Sequence, residues 1–276
     1  MKHIKLAIVA LFFLFSASSG FAQIADSSTR EVKLEGAVNF RDMGGYHTKE
    51  GKTVKWNKLF RSAALNQLTA SDLNKLNQLS LETVIDFRGP YEVKIAPDRI
   101  PANAKRVSLP AGSEKIGDSN YLKQMMLSMK NDSGLIRFYT DLTPFHDRYK
   151  PMFDELLLLN KDSALLFHCS AGKDRTGIAA ALILYALGAD EKVIVADYLA
   201  TNYYRRNENE KAIRGMVKFY GLDEATATNM MAAKESYIEA TFTSIRKQYG
   251  TVDHFLEQVL GLTDKKIAML KNKFLE

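Results

Sequence analysis

The stretch from Ser163 to Gly188 constrains the chain most. Ser163-Ala164-Leu165-Leu166-Phe167-His168 reads as a buried strand. A turn follows, His168-Cys169-Ser170-Ala171-Gly172-Lys173-Asp174-Arg175-Thr176-Gly177. It opens a helix over about residues 175–187, apolar nearly all round and closed by Gly188. A helix with no polar face has to be covered on every side. Val84-Ile85-Asp86-Phe87 and Lys105-Arg106-Val107-Ser108-Leu109 read as further strands, the second ended by Pro110. Helical patterns cover 71–78, 119–130 and 145–160, and 190–276 holds several helices and no convincing strand. The expected class is α/β, a central, mostly parallel sheet flanked by helices, with a helical C-terminal part.

The first 22 residues stand apart. Lys2 and Lys5 precede an unbroken apolar run from Leu6 to Phe15, and small residues lead to Ala22. This is the pattern of a signal peptide cleaved after Ala22. The run is short of the roughly 20 residues that span a bilayer. An exported chain, periplasmic or secreted, with no integral membrane segment in its mature form is expected. Residues 23–30 are polar and read as a flexible linker, and 31–276 as one domain, without internal repeats or a Gly/Pro/Ser-rich break. Loss of the leader removes two lysines and no acid, taking the formal charge from +6 to +4. No block of five Lys/Arg occurs, so nucleic acid is not an expected partner. Cys169 is the single cysteine, which excludes an intrachain disulfide and a multi-cysteine metal centre. A lone thiol in an oxidising compartment points weakly to a chemical use.

The turn has the makings of an anion cradle. Between a strand and a helix N-terminus, successive backbone N–H groups of Ser170, Ala171, Gly172, Lys173, Asp174 and Arg175 can face a bound phosphate. Gly172 permits a backbone that a side chain would hinder. Arg175 can grip two phosphate oxygens, and Lys173 adds charge. The same field stabilises a Cys169 thiolate, so nucleophile and target are prepared together. His168 reads as an orienter of the loop rather than a base.

The segment resembles the His-Cys-x5-Arg-(Ser/Thr) signature of the protein tyrosine phosphatase superfamily. Its fuller form, His-Cys-x-Ala-Gly-Lys-Asp-Arg-Thr-Gly, is similar to that of the bacterial tyrosine/serine phosphatases of dual or triple specificity. Asn39-Phe40-Arg41-Asp42-Met43-Gly44-Gly45-Tyr46, Phe60-Arg61-Ser62, Ile85-Asp86-Phe87-Arg88 with Glu92, and Asp197-Tyr198-Leu199-Ala200-Thr201-Asn202 match further motifs of that family. The likeness runs from about residue 35 to the C-terminus, apart from an unmatched insert near 112–145. It implies a metal-independent, cofactor-free phosphatase in which Cys169 attacks phosphorus and Arg175 holds the phosphate. Thr176 would hydrogen-bond the thiolate. A Trp-Pro-Asp loop is absent, since Trp56 is followed by Asn57. Asp174 is the first choice of general acid and Asp86 the second. The Arg41-Asp42 and Asp86-Arg88 pairs read equally as scaffold or as substrate contacts. In the related family helices near 205–233 cover the site, so a lid is an expectation there.

The expected substrate is phosphotyrosine, with phosphoserine/threonine or phosphoinositide beside it. Lys173 leaves room for multiply phosphorylated headgroups, including inositol polyphosphates. A catalytically silent phosphate-binding module is the other reading, opposed by the intact Cys169, Asp174 and Arg175. A rhodanese-type sulfur transferase fits the Arg-Thr-Gly helix entry poorly.

Overall fold

The computed structural model describes residues 27–115, 118 and 133–276. The expected leader and the expected helix at 119–130 lie outside the described residues. Five strands form the sheet: β1 (Arg41–Asp42), β2 (Leu59–Ser62), β3 (Leu81–Asp86), β4 (Lys105–Ser108) and β5 (Ala164–His168). Their order is β1-β2-β5-β3-β4. Only β1 runs antiparallel to its neighbour; the other pairs are parallel. The strands expected near 84–87, 105–109 and 163–168 are present. β2 was not anticipated: its four residues include Arg61 and Ser62, so it shows neither apolar run nor alternation.

The helices are α1 (Ser27–Arg30), α2 (Ala70–Asn77), α3 (Pro90–Ile95), α4 (Ser133–Thr140), α5 (Phe145–Leu158) and α6 (Asp174–Ala186). Six more follow: α7 (Glu191–Tyr204), α8 (Arg206–Tyr220), α9 (Glu224–Met231), α10 (Glu235–Tyr249), α11 (Val252–Gln258) and α12 (Asp264–Phe274). Side-chain caps fix several starts. Thr69 accepts from the Asp72 N–H at 3.1 Å while Asp72 accepts from the Thr69 N–H at 3.0 Å, a reciprocal cap on α2. Asp190, Asp223 and Thr251 cap α7, α9 and α11.

The sheet separates two cores, and strand alternation assigns residues to each. Leu165 and Phe167 of β5, with Ile85 and Phe87, join the larger core under α5, α6 and α10. Ala164 and Leu166, with Leu81 and Val84, join the smaller one beside Phe40, Phe60 and Leu76. α6 is buried along nearly its whole length, as its composition requires. Burying both faces of β5 holds rigid the strand whose C-terminal end delivers Cys169.

Residues 27–30 correct the expected flexible linker. They form α1, and Arg30 is buried. Its Nε donates to the Gly44 carbonyl at 2.9 Å and its guanidinium lies 4.0 Å from the centre of the Tyr46 ring. An arginine that finds both an acceptor and an aromatic face orders the segment that carries it.

Candidate active site

Cys169 follows β5 at the C-terminal edge of the parallel strands, where α/β folds place their ligands. It is buried, at 2% exposure. In the loop between Cys169 and Lys173 the carbonyls of Ser170, Ala171 and Gly172 are each met by a donor from outside the loop. The Ser170 carbonyl accepts from the Ala64 N–H at 3.2 Å. The Ala171 carbonyl accepts from Asn39 Nδ2 and Arg205 Nη1, both at 3.1 Å. The Gly172 carbonyl accepts from Asn39 Nδ2 at 3.0 Å and Arg61 Nη2 at 2.8 Å. Carbonyls drawn outward leave the N–H groups facing the other way. Among the described residues no protein acceptor takes the N–H groups of Ser170, Ala171, Gly172 or Lys173. Gly172 has φ +64°, and a Cβ there would lie 2.5 Å from the Ser62 carbonyl oxygen. Both backbone and space demand glycine.

The donors outside the loop are themselves fixed by a buried ion cluster. Asp197 of α7 accepts from Arg41 Nε at 3.2 Å, from Tyr46 Oη at 3.1 Å and from Arg61 Nη1. Arg41 also binds the Asn39 side chain. Arg41 and Arg61 have no exposed surface. Burial would raise the Asp197 carboxyl, but the two guanidiniums outweigh it and hold the pKa below its usual value. These contacts make Arg41 a scaffold residue. Three further sequence motifs thus converge on the back of one loop.

Arg175 sits in the first turn of α6. Its Nη1 donates to Glu92 Oε2 at 2.8 Å, Ser113 Oγ at 2.6 Å and the Phe87 carbonyl at 3.2 Å, and Nη2 to Glu92 Oε1 at 3.0 Å. None of these bonds uses Nε. Burial pulls this guanidinium down, but Cys169 and Glu92 more than offset that, so it stays charged. Ser170 Oγ also donates to Glu92. Asp174 is a quarter exposed, and its Oδ1 accepts from Tyr139 Oη at 2.8 Å. Tyr139 in turn shares a 2.7 Å hydrogen bond with Tyr198 Oη. Burial and the Asp174 charge push the Tyr139 phenol well up, which keeps it a donor.

Three expectations need correction. Asp86 is not placed to give a proton. It has no exposed surface and accepts from Arg88 Nε at 2.9 Å, Arg88 Nη2 at 2.8 Å and Arg106 Nη2 at 2.6 Å. Burial raises its carboxyl, but these partners win and hold it well below the usual carboxylate range. Asp98 and the fully buried His168, 3.1 Å apart, complete the cluster. Asp86, Asp98 and His168 are close enough together to hold an ion. Arg88 and Arg106 already supply the positive charge there. The Lys173 ammonium is held chiefly at the end of α9, with Asp174 Oδ1 3.8 Å away. Nζ donates to the carbonyls of Met230 at 2.9 Å, Ala232 at 3.3 Å and Met231 at 3.5 Å. The open carbonyls at the end of α9 draw the cation away. Thr176 Oγ1 is buried with no hydrogen-bond partner among the described residues, so its expected bond to Cys169 is not formed.

A family model described as the tyrosine phosphatase family matches residues 32–276. The chain belongs to the tyrosine phosphatase family. It is 31% identical over 248 residues to a protein of Cupriavidus necator named as a tyrosine-protein phosphatase, covering 89% of this chain and 88% of that one. It is 32% identical over 193 residues to the triple specificity protein phosphatase PtpB of Mycobacterium tuberculosis, covering 62% and 68%. The crystal structure of P. aeruginosa TpbA aligns at 17% identity and a TM-score of 0.31, over 65% of this chain and 89% of that one. The protein is therefore a tyrosine-phosphatase-like phosphoric monoester hydrolase.

Two residues around this candidate site carry no signal in the sequence. Ser113 lies in the unmatched insert and accepts from both Arg175 and the Gly89 N–H, the latter at 2.8 Å. Arg205, where α7 meets α8, adds a guanidinium beside the loop, and burial lowers its pKa while the charge of Cys169 partly restores it. Glu92 appeared only as a motif match, without a role. Its carboxyl is 11% exposed and is brought from its usual 4.5 to about 2; burial opposes the shift and Arg175 outweighs it. A depressed carboxylate stabilises the fold above its unfolded pKa and ceases to as pH falls through the folded one. Denaturation between about pH 5 and pH 2 should show the wild type losing up to about 3 kcal/mol that Glu92→Gln does not lose. Parallel curves would contradict the assignment.

Proposed function

We propose that this phosphatase hydrolyses phosphotyrosine monoesters through a cysteinyl-phosphate. The observation that carries the reading is the loop itself: a buried cysteine next to N–H groups without protein acceptors, with Arg175 in the first turn of the helix that follows. The phosphate takes the loop N–H groups and Arg175 Nε as donors. Cys169 Sγ attacks phosphorus as the P–O bond to the leaving phenol breaks, and Asp174 delivers a proton to that oxygen. Water then attacks the phosphocysteine, Asp174 takes the water's proton, and the thiolate departs. Positioning and charge stabilisation do most of the work. Tyr139 holds the Asp174 carboxylate in place. A nearly inaccessible sulfur suits a phosphate on a long aromatic stem better than one on a serine. The Lys173 contacts with α9 weaken the multiply phosphorylated headgroup reading, because that ammonium is already engaged.

The deciding comparison is Asp174→Asn with Asp86→Asn on a tyrosine phosphopeptide. The first should cost about 10²–10⁴ in kcat at unchanged stability. The second should lower stability, while the folded fraction keeps most of its kcat. The opposite pattern would make Asp86 the acid.

The leader-like residues 1–22 support export. N-terminal sequencing of protein recovered outside the cytoplasm should begin at Gln23, and an intact Met1 terminus would contradict it. Among the described residues no helix is long and apolar enough to cross a membrane.

A further inference from the structure

α8 is amphipathic, yet the fold buries none of its residues. Near its C-terminal end Val217 is 39% exposed, Phe219 74% and Tyr220 67%. Two consecutive large aromatic residues exposed to water, at one end of a hairpin, are an unusual arrangement. The base of the hairpin, by contrast, is tied down. Arg205, just before α8, binds the Ala171 carbonyl. Past α9, Lys173 holds the helix carbonyls, and Asn202 makes paired bonds of 2.9 and 2.8 Å with Ala233. The chain turns between α8 and α9 at Gly221, which has φ +64° and open space around it. The exposed rings therefore lie at the end of the hairpin remote in sequence from its ties.

The polar side of α8 is basic. Lys211, Arg214 and Lys218 are spaced three and four residues apart, and no acid occurs between Lys211 and Asp223. Helical spacing puts these three on one stripe, with Ile213, Val217 and Tyr220 on another. Lys211 and Arg214 pair with Glu208 at 3.3 Å and Glu210 at 3.8 Å. Both are exposed surface pairs that hold little energy. Lys218 lies 5.2 Å from the centre of the Phe219 ring.

We propose that the α8–α9 tip docks on an anionic lipid bilayer, with Phe219 and Tyr220 at the tip entering the headgroup boundary and Lys211, Arg214 and Lys218 facing the lipid phosphates. An apolar edge flanked by cations complements a surface that is oily below and negative above. A second copy of this chain would bring like charge against like on the same stripe. The docking needs no substrate and is separate from the phosphotyrosine reading.

The test is hydrogen exchange and co-sedimentation of the full chain with two kinds of vesicle, phosphatidylcholine alone and phosphatidylcholine with phosphatidylglycerol. Anionic vesicles should slow exchange across 206–222, and neutral ones should not. A Phe219→Asp/Tyr220→Asp double variant should lose that protection and bind at least about tenfold more weakly. Lys211→Gln/Arg214→Gln/Lys218→Gln should also lose at least about tenfold on the anionic vesicles alone. Hydrolysis of a soluble aryl phosphate should be the same for all, so loss of docking and loss of chemistry are separately visible. Unchanged exchange over 206–222 on anionic vesicles would overturn the proposal. So would equal protection in wild type and variants, or protection that rises with protein concentration without vesicles.

Discussion

Cys169→Ser is expected to lower aryl phosphate turnover by about 10⁴-fold or more and to leave the thermal midpoint nearly unchanged. The substitution exchanges Sγ for Oγ on a side chain that makes no hydrogen bond with its neighbours among the described residues. The loop does not depend on the sulfur for its shape, because its carbonyls are held by Asn39, Arg61, Ala64 and Arg205. What is lost is the nucleophile. A serine hydroxyl in the same place is a far weaker nucleophile than a thiolate, and His168 is buried against Asp98. Steady-state kinetics and a melting curve on the same preparation check both halves. Retained turnover would refute the nucleophile, and a collapsed fold would show that the sulfur has a packing role.

Asp197→Asn is expected to produce the largest loss of stability, about 3–5 kcal/mol in a urea titration. Asp197 answers two arginines that have no exposed surface. Loss of its charge strands both guanidiniums in the interior. The damage should reach the chemistry as well. Arg61 holds the Gly172 carbonyl and Arg41 steadies Asn39, which holds the Ala171 and Gly172 carbonyls. With these released, loop N–H groups are free to turn away from the phosphate. kcat should fall at temperatures where the variant is still folded. A change under about 1 kcal/mol with full activity would mean that the cluster is ornamental.

The parts of this protein legible in the sequence are those whose physics is local. α6 announces its burial because no side of it is polar. The turn after β5 reads as a candidate anion site because glycine, two cations and a thiol cluster where a strand gives way to a helix. β2 is hidden, since Arg61 and Ser62 interrupt its apolar character and the arginine is explained only by distant partners, Asp197 and the Gly172 carbonyl. Residue type could not separate Asp174 from Asp86. Both are aspartates beside the presumed site, and only the Arg88 and Arg106 contacts show which one is held as an ion. Lys173 looked like a phosphate ligand because the nearest long-range acceptors, the carbonyls of 230–232, are 57 or more residues away. Ser113 and Arg205 reach the site by folding alone. Arg30 reads as linker in the sequence because its partners Gly44 and Tyr46 are ordinary residues in another segment.

The central claim is a covalent bond from sulfur to phosphorus. Asp174→Asn should slow the breakdown of that bond as well as its formation, so the most direct measurement is an acid quench of this variant during turnover, followed by peptide mass spectrometry. The account predicts one added phosphoryl group on the peptide containing Cys169, and none when Cys169→Ser is combined with it. Turnover with every peptide unmodified, or with the phosphoryl group on another residue, would contradict it.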